Sequence, residues 1–317
     1  MAQRNIPVLR LAQFTQGDTR QRSAFVDDLG GAFQEIGFVG IVGHGIPRAL
    51  IDRFYAEARA FFDLPEAVKR RYEIPGMAGQ RGYTSFGVEH AKHSQVADLK
   101  EFFQIGPEVV DGDPIEADYP ANVAVAERPH FLSAGLELYR AFERAGAHLL
   151  EAIALYLELD RHYFDPRIRN GNSILRAIYY PPITREPESA IRAEQHEDIN
   201  LITLLVGASA GGLELLNAQG EWLPIMPEAE EIVINVGDML QRLTNNYLKS
   251  TTHRVVNPPP EEWHRPRLSI PFFLHPRSDM DLSGLPSCVS AERPLAYPPV
   301  TAGEYLAERL AEIGLKK

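Results

Sequence analysis

The strongest constraint on the fold of this chain is a change in hydrophobic periodicity near Asn170. Before this point, apolar residues recur every three or four positions, which is typical of amphipathic helices. After it, they fall into short runs of β-forming residues, at 173–180, 199–206, 212–216, 232–236 and 268–274. Proline pairs and glycine-containing turns separate these runs. We therefore predict a compact β unit, a barrel or a sandwich, in the second half of the chain.

The helical patterns of the first half have recognisable ends. Asp18 and Thr19 are good cap residues before the first pattern, and Gly37 stops it. Pro47 stands at a plausible first-turn position of the second pattern, and Pro65 follows its end. The longest pattern predicts a helix against which the sheet packs. Helices are expected at 18–36, 47–64, roughly 131–159 and 301–315, and a strand at 37–45.

The composition excludes several classes of function. With 317 residues, 44% of them hydrophobic, the chain can bury a sizeable core, and we favour one large domain over two smaller ones. A formal charge of −11 disfavours nucleic acids and anionic membrane surfaces. Neither a signal-peptide pattern at 1–14 nor an apolar run of about 18 residues is present. The single cysteine, Cys288, excludes an intramolecular disulfide and a thiolate metal cluster. We predict a cytoplasmic protein with a small-molecule partner.

Three residues of the β half could hold a metal ion. His196 and Asp198 are two positions apart, which in a strand places both side chains on one face. His253 is a candidate for the third ligand. Two imidazoles and a carboxylate on one octahedral face suit iron(II) and leave positions open, whereas zinc prefers a tetrahedral site. The His-x-Asp pair alone is a weak signal, and a solvated surface pair is an equal alternative at this point.

Longer motifs surround these residues. The first runs from His196-Glu197-Asp198 to Thr203-Leu204-Leu205, and the second from Gly237-Asp238-Met239-Leu240-Gln241 to His253-Arg254-Val255-Val256. Upstream, in order, stand Ile6-Pro7-Val8, Gly37-Phe38-Val39, His44-Gly45-Ile46-Pro47, Phe61-Phe62-Asp63-Leu64-Pro65 and Arg81-Gly82-Tyr83. Over nearly its whole length, the chain resembles the isopenicillin N synthase-like family of 2-oxoglutarate and iron(II)-dependent oxygenases. The resemblance implies that His196, Asp198 and His253 bind iron(II).

A second constellation has the chemistry to bind a carboxylate. Arg267 and Ser269 share one strand face, and a guanidinium can bind a carboxylate through two parallel hydrogen bonds. The resemblance implies that this pair anchors 2-oxoglutarate, the cosubstrate, and that Tyr180 points towards the same carboxylate. Many plant members of the family have an asparagine where this chain has Ile178. One polar contact near the cosubstrate is therefore absent, and a tyrosine packed in the core remains the alternative for Tyr180.

The resemblance also implies a fold and an activity. The fold is α+β and mainly β: a double-stranded β-helix, or cupin-like jelly-roll, with an N-terminal helical domain and a long backbone helix. We expect an oxygenase-family region at 1–120 and the jelly-roll region at 121–317, in one compact unit. The implied activity is oxidation of a small molecule with O2, hydroxylation by default, with release of succinate and carbon dioxide. The remaining walls of the site are expected to be apolar, with contributions from Leu204, Leu215, Phe273 and the segment 81–103.

Two alternatives stay open from the sequence. The first is an oxidase of the same fold that does not use 2-oxoglutarate. The second is a non-catalytic binding or sensor protein with a structural zinc or an empty pocket. The presence of both metal-ligand motifs and of the Arg-x-Ser pair at 267–269 argues against loss of activity.

Overall fold

A computed structural model describes residues 5–77, 79–90, 96–108, 112, 117, 119–187, 189–228, 230–313 and 315. The helices within these ranges are α1 (Leu11–Thr15), α2 (Thr19–Glu35), α3 (Arg48–Phe62), α4 (Glu66–Lys69), α5 (Phe131–Tyr156), α6 (Asp165–Ile168), α7 (Asp238–Leu243) and α8 (Ala302–Glu312). The strands are β1 (Val8–Arg10), β2 (Phe38–Val42), β3 (Gly82–Thr84), β4 (Glu101–Ile105), β5 (Ile174–Tyr180), β6 (Ala193–His196), β7 (Ile202–Val206), β8 (Leu213–Leu216), β9 (Trp222–Pro224), β10 (Ile232–Val236), β11 (His253–Val255) and β12 (Arg267–Leu274).

Local sequence signals account for the predicted helices. Asp18 caps α2 through a reciprocal capping box with Gln21, so the first turn has partners for its free N–H groups. The helix ends at Glu35, and Gly37, two residues later, has a φ of 76° that suits glycine best. The four predicted helices are all confirmed, within a few residues at their ends. No helix among the described residues is long and apolar enough to cross a membrane.

The strands form two sheets, and their order corrects one expectation. The larger sheet runs β1-β2-β10-β7-β12-β5-β4-β3, and the smaller one β6-β11-β8-β9. Apart from the parallel pair β1 and β2, the paired strands are antiparallel. The β unit is therefore not confined to the second half, because four strands that precede Asn170 complete the larger sheet. Of these strands, β2 was predicted as the strand at 37–45, and the other three were missed; β1 and β3 are only three residues long.

The two faces of the larger sheet have different neighbours. Alternate residues of β12 face the long helix α5: the Phe272 ring stacks on Phe142, with centroids 5.4 Å apart, and meets Tyr139 edge-on at 4.9 Å. The predicted packing of the long helix on the sheet is thus confirmed. The other residues of β12 point into the space between the two sheets. This mainly antiparallel, two-sheet arrangement with helices on one side is the predicted jelly-roll, cupin-like fold. The division into regions 1–120 and 121–317 stays a prediction.

Candidate active site

A cavity of about 510 Å³ lies between the two sheets. The pleat of two adjacent strands explains its lining, because side chains two positions apart share a face. From β12 it receives Arg267, Ser269, Pro271 and Phe273, and from β5 it receives Ile174, Arg176, Ile178 and Tyr180. The smaller sheet contributes the opposite side, and α8 lines one margin through Leu306 and Leu310.

The predicted metal ligands meet at this cavity. The Nε2 atoms of His196 and His253 lie 3.8 and 3.7 Å from Oδ1 of Asp198. One ligand atom from each residue falls within 4.8 Å of the other two, and no other such cluster of His, Cys, Asp or Glu occurs within the described residues. The strand pairing explains the approach of the histidines, since His253 of β11 stands directly opposite His196 of β6.

Asp198 lies just beyond the end of a strand. Strand β6 ends at His196, and the chain bends at residues 199–200, after Asp198. The carbonyl oxygen of Asp198 accepts a hydrogen bond of 2.7 Å from the backbone N–H of Asp238. The side chains of His196 and Asp198 both line the cavity, as their spacing of two residues predicted, although the strand itself does not extend to Asp198.

Hydrogen bonds orient each candidate ligand. Nδ1 of His196 lies 2.7 Å from the carbonyl oxygen of Glu194, and Nδ1 of His253 lies 3.1 Å from that of Thr251. Because a carbonyl oxygen only accepts, each Nδ1 carries the proton and each Nε2 keeps a lone pair facing Asp198. Both imidazoles are thus in the tautomer that binds a metal through Nε2.

The Asp198 carboxylate has two unequal oxygens. Oδ2 accepts hydrogen bonds from the Thr203 hydroxyl at 2.6 Å and from the Asn235 amide at 2.8 Å, which leaves Oδ1 facing the histidines. Burial alone would raise the pKa of Asp198, but the two histidines and these two donors outweigh it and hold the pKa below its ordinary value. Burial, with His253 close by, lowers the pKa of His196 to about 4. The charge states are a carboxylate and a neutral imidazole, as a cation site needs.

This donor set fits a divalent iron ion. It contains two imidazole nitrogens and one carboxylate oxygen, all within 4.8 Å of one another, with no thiolate. Such a set would hold iron(II) through three ligands and would leave other positions open to ligands from the cavity. The residues present therefore suit iron(II) better than a closed tetrahedral zinc site.

The predicted carboxylate anchor lies on the same cavity. The antiparallel register places Arg267 opposite Tyr180 and Ser269 opposite Ile178. Arg267 is 2% exposed, and its guanidinium carbon lies 5.0 Å from the centroid of the Tyr180 ring. Its Nε donates to the carbonyl oxygen of Ala210 at 3.1 Å, but its Nη1 has no hydrogen-bond partner among the described residues. A buried guanidinium with an unused donor is suited to an anionic ligand.

Several residues at the site were not predicted. Thr203 and Asn235 hold the Asp198 carboxylate, and Asn235 could have been noticed as a polar residue within the buried apolar strand β10. Arg192 is a second buried guanidinium near the Tyr180 ring, at 5.9 Å, and burial lowers its pKa to about 10. His275 lines the cavity, and burial lowers its pKa to about 3, so it is neutral.

The expected apolar walls are only partly found. Phe273 lines the cavity as predicted, whereas Leu204 packs in the core on the other face of the larger sheet. Leu215 packs in a small cluster beside the cavity, and its neighbours Leu213 and Leu216 line the cavity instead. The described part of the segment 81–103 contributes charged side chains to the lining, and its residues 91–95 lie outside the described residues.

Two family models match the chain. The model described as the 2OG-Fe(II) oxygenase superfamily matches residues 171–276, which include the three candidate metal ligands and Arg267. The model described as the N-terminal region of non-haem dioxygenases in morphine synthesis matches residues 6–127. Together they cover the strands that carry the site and the helices α1 to α4, but not the long helix α5.

Similar proteins extend over nearly the whole chain. The 2-oxoglutarate-Fe(II) type oxidoreductase hxnY of Emericella nidulans is 30% identical, over 93% of this chain and 86% of its own length. The proline hydroxylase buaE of Petromyces alliaceus is 33% identical, over 92% and 94%.

Solved structures show the same fold. A 2OG-Fe(II) oxygenase family protein from Caulobacter crescentus is 45% identical, with a TM-score of 0.88 over 98% of this chain and all of its own. A Neurospora crassa protein, solved at full length in complex with α-ketoglutarate and thymine, is 29% identical, with a TM-score of 0.85 over 96% of both chains. The predicted class of enzyme, its cofactors and its fold are confirmed. The chain belongs to the 2OG-Fe(II) oxygenase superfamily, whose members use iron(II), 2-oxoglutarate and O2 to oxidise small molecules.

Proposed function

We propose that His196, Asp198 and His253 hold the iron(II) of this oxygenase, and that the enzyme hydroxylates a small ring compound. The observation that carries the proposal is the convergence of two metal-ready imidazoles and one carboxylate oxygen on a single point of the cavity. When bound, iron(II) supplies the redox chemistry that couples oxidation of the substrate by O2 to conversion of 2-oxoglutarate into succinate and carbon dioxide. The protein's own residues bind, orient and shield these partners.

The cosubstrate has a defined place in this proposal. Arg267 and Ser269 bind the carboxylate of 2-oxoglutarate that is remote from the metal, and the unused Nη1 of Arg267 supports this role. Tyr180 lies beneath the same guanidinium and directs it through the contact between cation and ring. Ile178, opposite Ser269, adds an apolar contact instead of a hydrogen bond.

The size of the substrate follows from the relatives and from the cavity. One relative is named a proline hydroxylase, and the Neurospora crassa protein is solved with thymine, both small ring compounds. A cavity of about 510 Å³ holds 2-oxoglutarate and a compound of that size together.

Within the superfamily we place the chain in the isopenicillin N synthase-like branch, because its motifs follow that branch in order. A cytoplasmic location is proposed from the single cysteine, Cys288, which is buried.

An anaerobic titration tests the metal and cosubstrate roles. Adding iron(II) and then 2-oxoglutarate to the wild-type protein should produce the weak visible charge-transfer band of the chelate. Asp198→Ala should abolish the band, whereas Arg267→Ala should keep it but require much more 2-oxoglutarate. A wild-type protein without the band would contradict the proposal. Admitting O2 should then yield succinate, which an oxidase independent of 2-oxoglutarate would not release.

A further inference from the structure

Four charged side chains form a connected group on the wall of the cavity, beside the strand that ends at His196. They are Glu89, Asp98, Lys100 and Arg176, and we call them the buried quartet. Lys100 Nζ lies 2.6 Å from Glu89 Oε1 and 2.7 Å from Asp98 Oδ2, while Arg176 Nη1 lies 3.2 Å from Glu89 Oε2. All four line the cavity, and their side chains are between 5% and 14% exposed.

In the quartet every carboxylate oxygen already accepts at least one hydrogen bond, whereas some donors have no partner among the described residues. Both oxygens of Glu89 and Oδ2 of Asp98 accept from Lys100 or Arg176, and Oδ1 of Asp98 accepts from the backbone N–H of Glu194. Arg176 Nε donates to Gln104, but its Nη2 has no partner among the described residues. Lys100 uses two of its three N–H donors on carboxylates. A ligand at this wall therefore meets hydrogen-bond donors.

The charges of the quartet sum to zero. Burial alone would raise the pKa of Glu89, but Arg176 and Lys100 lower it to about 2, so Glu89 is ionised beside two cations. Asp98 forms an ion pair with the same Lys100. Breaking such a buried pair leaves an uncompensated charge, which is strongly unfavourable. A substrate carboxylate that bound the free donors of Arg176 and Lys100 would also lie beside Glu89 and Asp98, and a substrate ammonium that bound these carboxylates would also lie beside Lys100 and Arg176. Either group would add an unbalanced charge to a wall that water scarcely reaches.

The rest of this wall is apolar and aromatic. The guanidinium carbon of Arg176 lies 4.2 Å from the centroid of the Phe102 ring and 5.1 Å from that of the Phe273 ring. Phe273 and Ile174 line the cavity beside it. These contacts hold the guanidinium in place and offer a flat apolar surface next to its free edge.

We propose that the buried quartet restricts the primary substrate to uncharged molecules that present a carbonyl oxygen or ring nitrogen to Arg176 and Lys100. Amides, lactams, imides and ring ketones belong to this class, whereas carboxylic acids and amines do not. The inference rests on the proposed function, because it concerns the second substrate of that same site. The quartet acts by contact and by charge balance. A change in its net charge should therefore change which charge the preferred ligand carries.

Charge-changing variants test this directly. Glu89→Gln changes the net charge of the quartet to +1, and Lys100→Gln changes it to −1. The double variant returns the net charge to zero, with side chains similar in shape to the original ones. Glu101→Gln is the matched control: Glu101 forms a buried pair with Lys69 at 2.6 Å, on the neighbouring strand, but does not line the cavity. The probes are the amide, carboxylate and aminomethyl derivatives of benzene, pyridine and indole. Their dissociation constants are measured by anaerobic calorimetry on the complex with iron(II) and 2-oxoglutarate.

The expected pattern is a set of reversals. The wild-type protein and Glu101→Gln should bind at least one amide tenfold more tightly than its carboxylate and amine. Glu89→Gln should shift this preference at least tenfold towards the carboxylate, Lys100→Gln should shift it towards the amine, and the double variant should restore it. If Glu89→Gln does not fold, Lys100→Gln and the double variant decide the matter.

Two results would overturn the inference. One is a wild-type protein that binds no amide, or that binds a carboxylate or an amine as tightly. The other is a selectivity in the charge variants equal to that of Glu101→Gln. Failure of the proposed function looks different, because the wild-type protein would then not form the charge-transfer band with iron(II) and 2-oxoglutarate.

Discussion

Two groups of polar side chains face the same cavity, and they differ in whether their polar atoms already have bonding partners. At the metal end, the two Nε2 atoms and Oδ1 of Asp198 converge with nothing between them, and Arg267 has an unused donor. In the buried quartet, every carboxylate oxygen already has a donor and the charges cancel. A buried polar group without a hydrogen-bond partner destabilises a folded protein. Such a group is therefore expected where a bound ligand supplies the missing partner. The metal end needs charged ligands, and the quartet excludes them.

We expect the largest effect from a substitution at the metal end of the cavity. Asp198→Ala removes the one anionic ligand. Mutation of residues that only support metal ligands already lowers metal affinity or activity by about 10–100-fold. We therefore expect Asp198→Ala to lower iron(II) affinity and substrate oxidation by more than about 100-fold. Asp98→Asn, in the complete group, should change iron(II) affinity by less than about threefold, because Asp98 contacts no ligand. Metal titration of both variants checks this. Equal losses in the two would remove the distinction between the groups.

The second prediction concerns the stability of the complete group. The pKa of Glu89 is about 2 in the folded protein, below the ordinary value of 4.5, so its ionised form favours folding. This contribution is fully present above pH 4.5 and is lost as the pH falls towards 2. Glu89→Gln should therefore lower the free energy of unfolding by about 3 kcal/mol near neutral pH. The difference from wild type should shrink on acidification.

Denaturant unfolding at several pH values measures this difference. Glu66→Gln, which removes an exposed partner of Arg70, should produce no measurable loss at any pH. A Glu89→Gln deficit that is independent of pH would show that the charge of Glu89 is not what stabilises the fold.

The third prediction compares two guanidiniums of one cavity. Arg267→Gln should weaken 2-oxoglutarate binding by about 10–100-fold, since hydrogen bonds to charged groups contribute about 1.5–3 kcal/mol. Arg176→Gln should weaken it by less than about threefold, because Arg176 is already paired with Glu89. Anaerobic titration of the charge-transfer band gives both values. A reversed order would mean that the cosubstrate carboxylate binds at the quartet.

We expect the smallest effect from a substitution of Ile178, near the residues that bind the cosubstrate. Ile178→Asn would place an amide opposite Ser269, where it can offer one neutral hydrogen bond. The gain, about 1 kcal/mol or less, is offset by the loss of apolar packing. We expect a change below about threefold in 2-oxoglutarate affinity, measured by the same titration. A tenfold tightening would make Ile178 a determinant of cosubstrate affinity.

Local signals account for most of what the sequence predicted. The capping box at Asp18 and the long apolar stripe from Phe131 act within one helix, so their helices were predictable. The proximity of His196 and Asp198 was predictable from their spacing, although the strand ends at His196. The sequence motif implied His253, and the pairing of β11 with β6 brings it to the site.

The quartet could not be predicted for a physical reason. Glu89, Asp98 and Lys100 stand in an irregular, polar stretch, which from sequence alone suggests a solvated loop. Their burial depends on Arg176, which arrives on a distant strand through the pairing of β4 with β5. The expectation of an apolar wall in the segment 81–103 was wrong because charges that neutralise each other can be buried as a group.

The register that sets His253 opposite His196 also bears on the order of folding. Strands β6 and β11 have four and three residues and are far apart in sequence, so their pairing must overcome the entropy of closing a long loop. The three candidate ligands come together only once this late contact has formed. An incompletely folded chain would then be unable to capture a redox-active metal, and iron, once captured, would keep the sheet closed. The enzyme would thereby acquire its oxidising power only after its shield is complete.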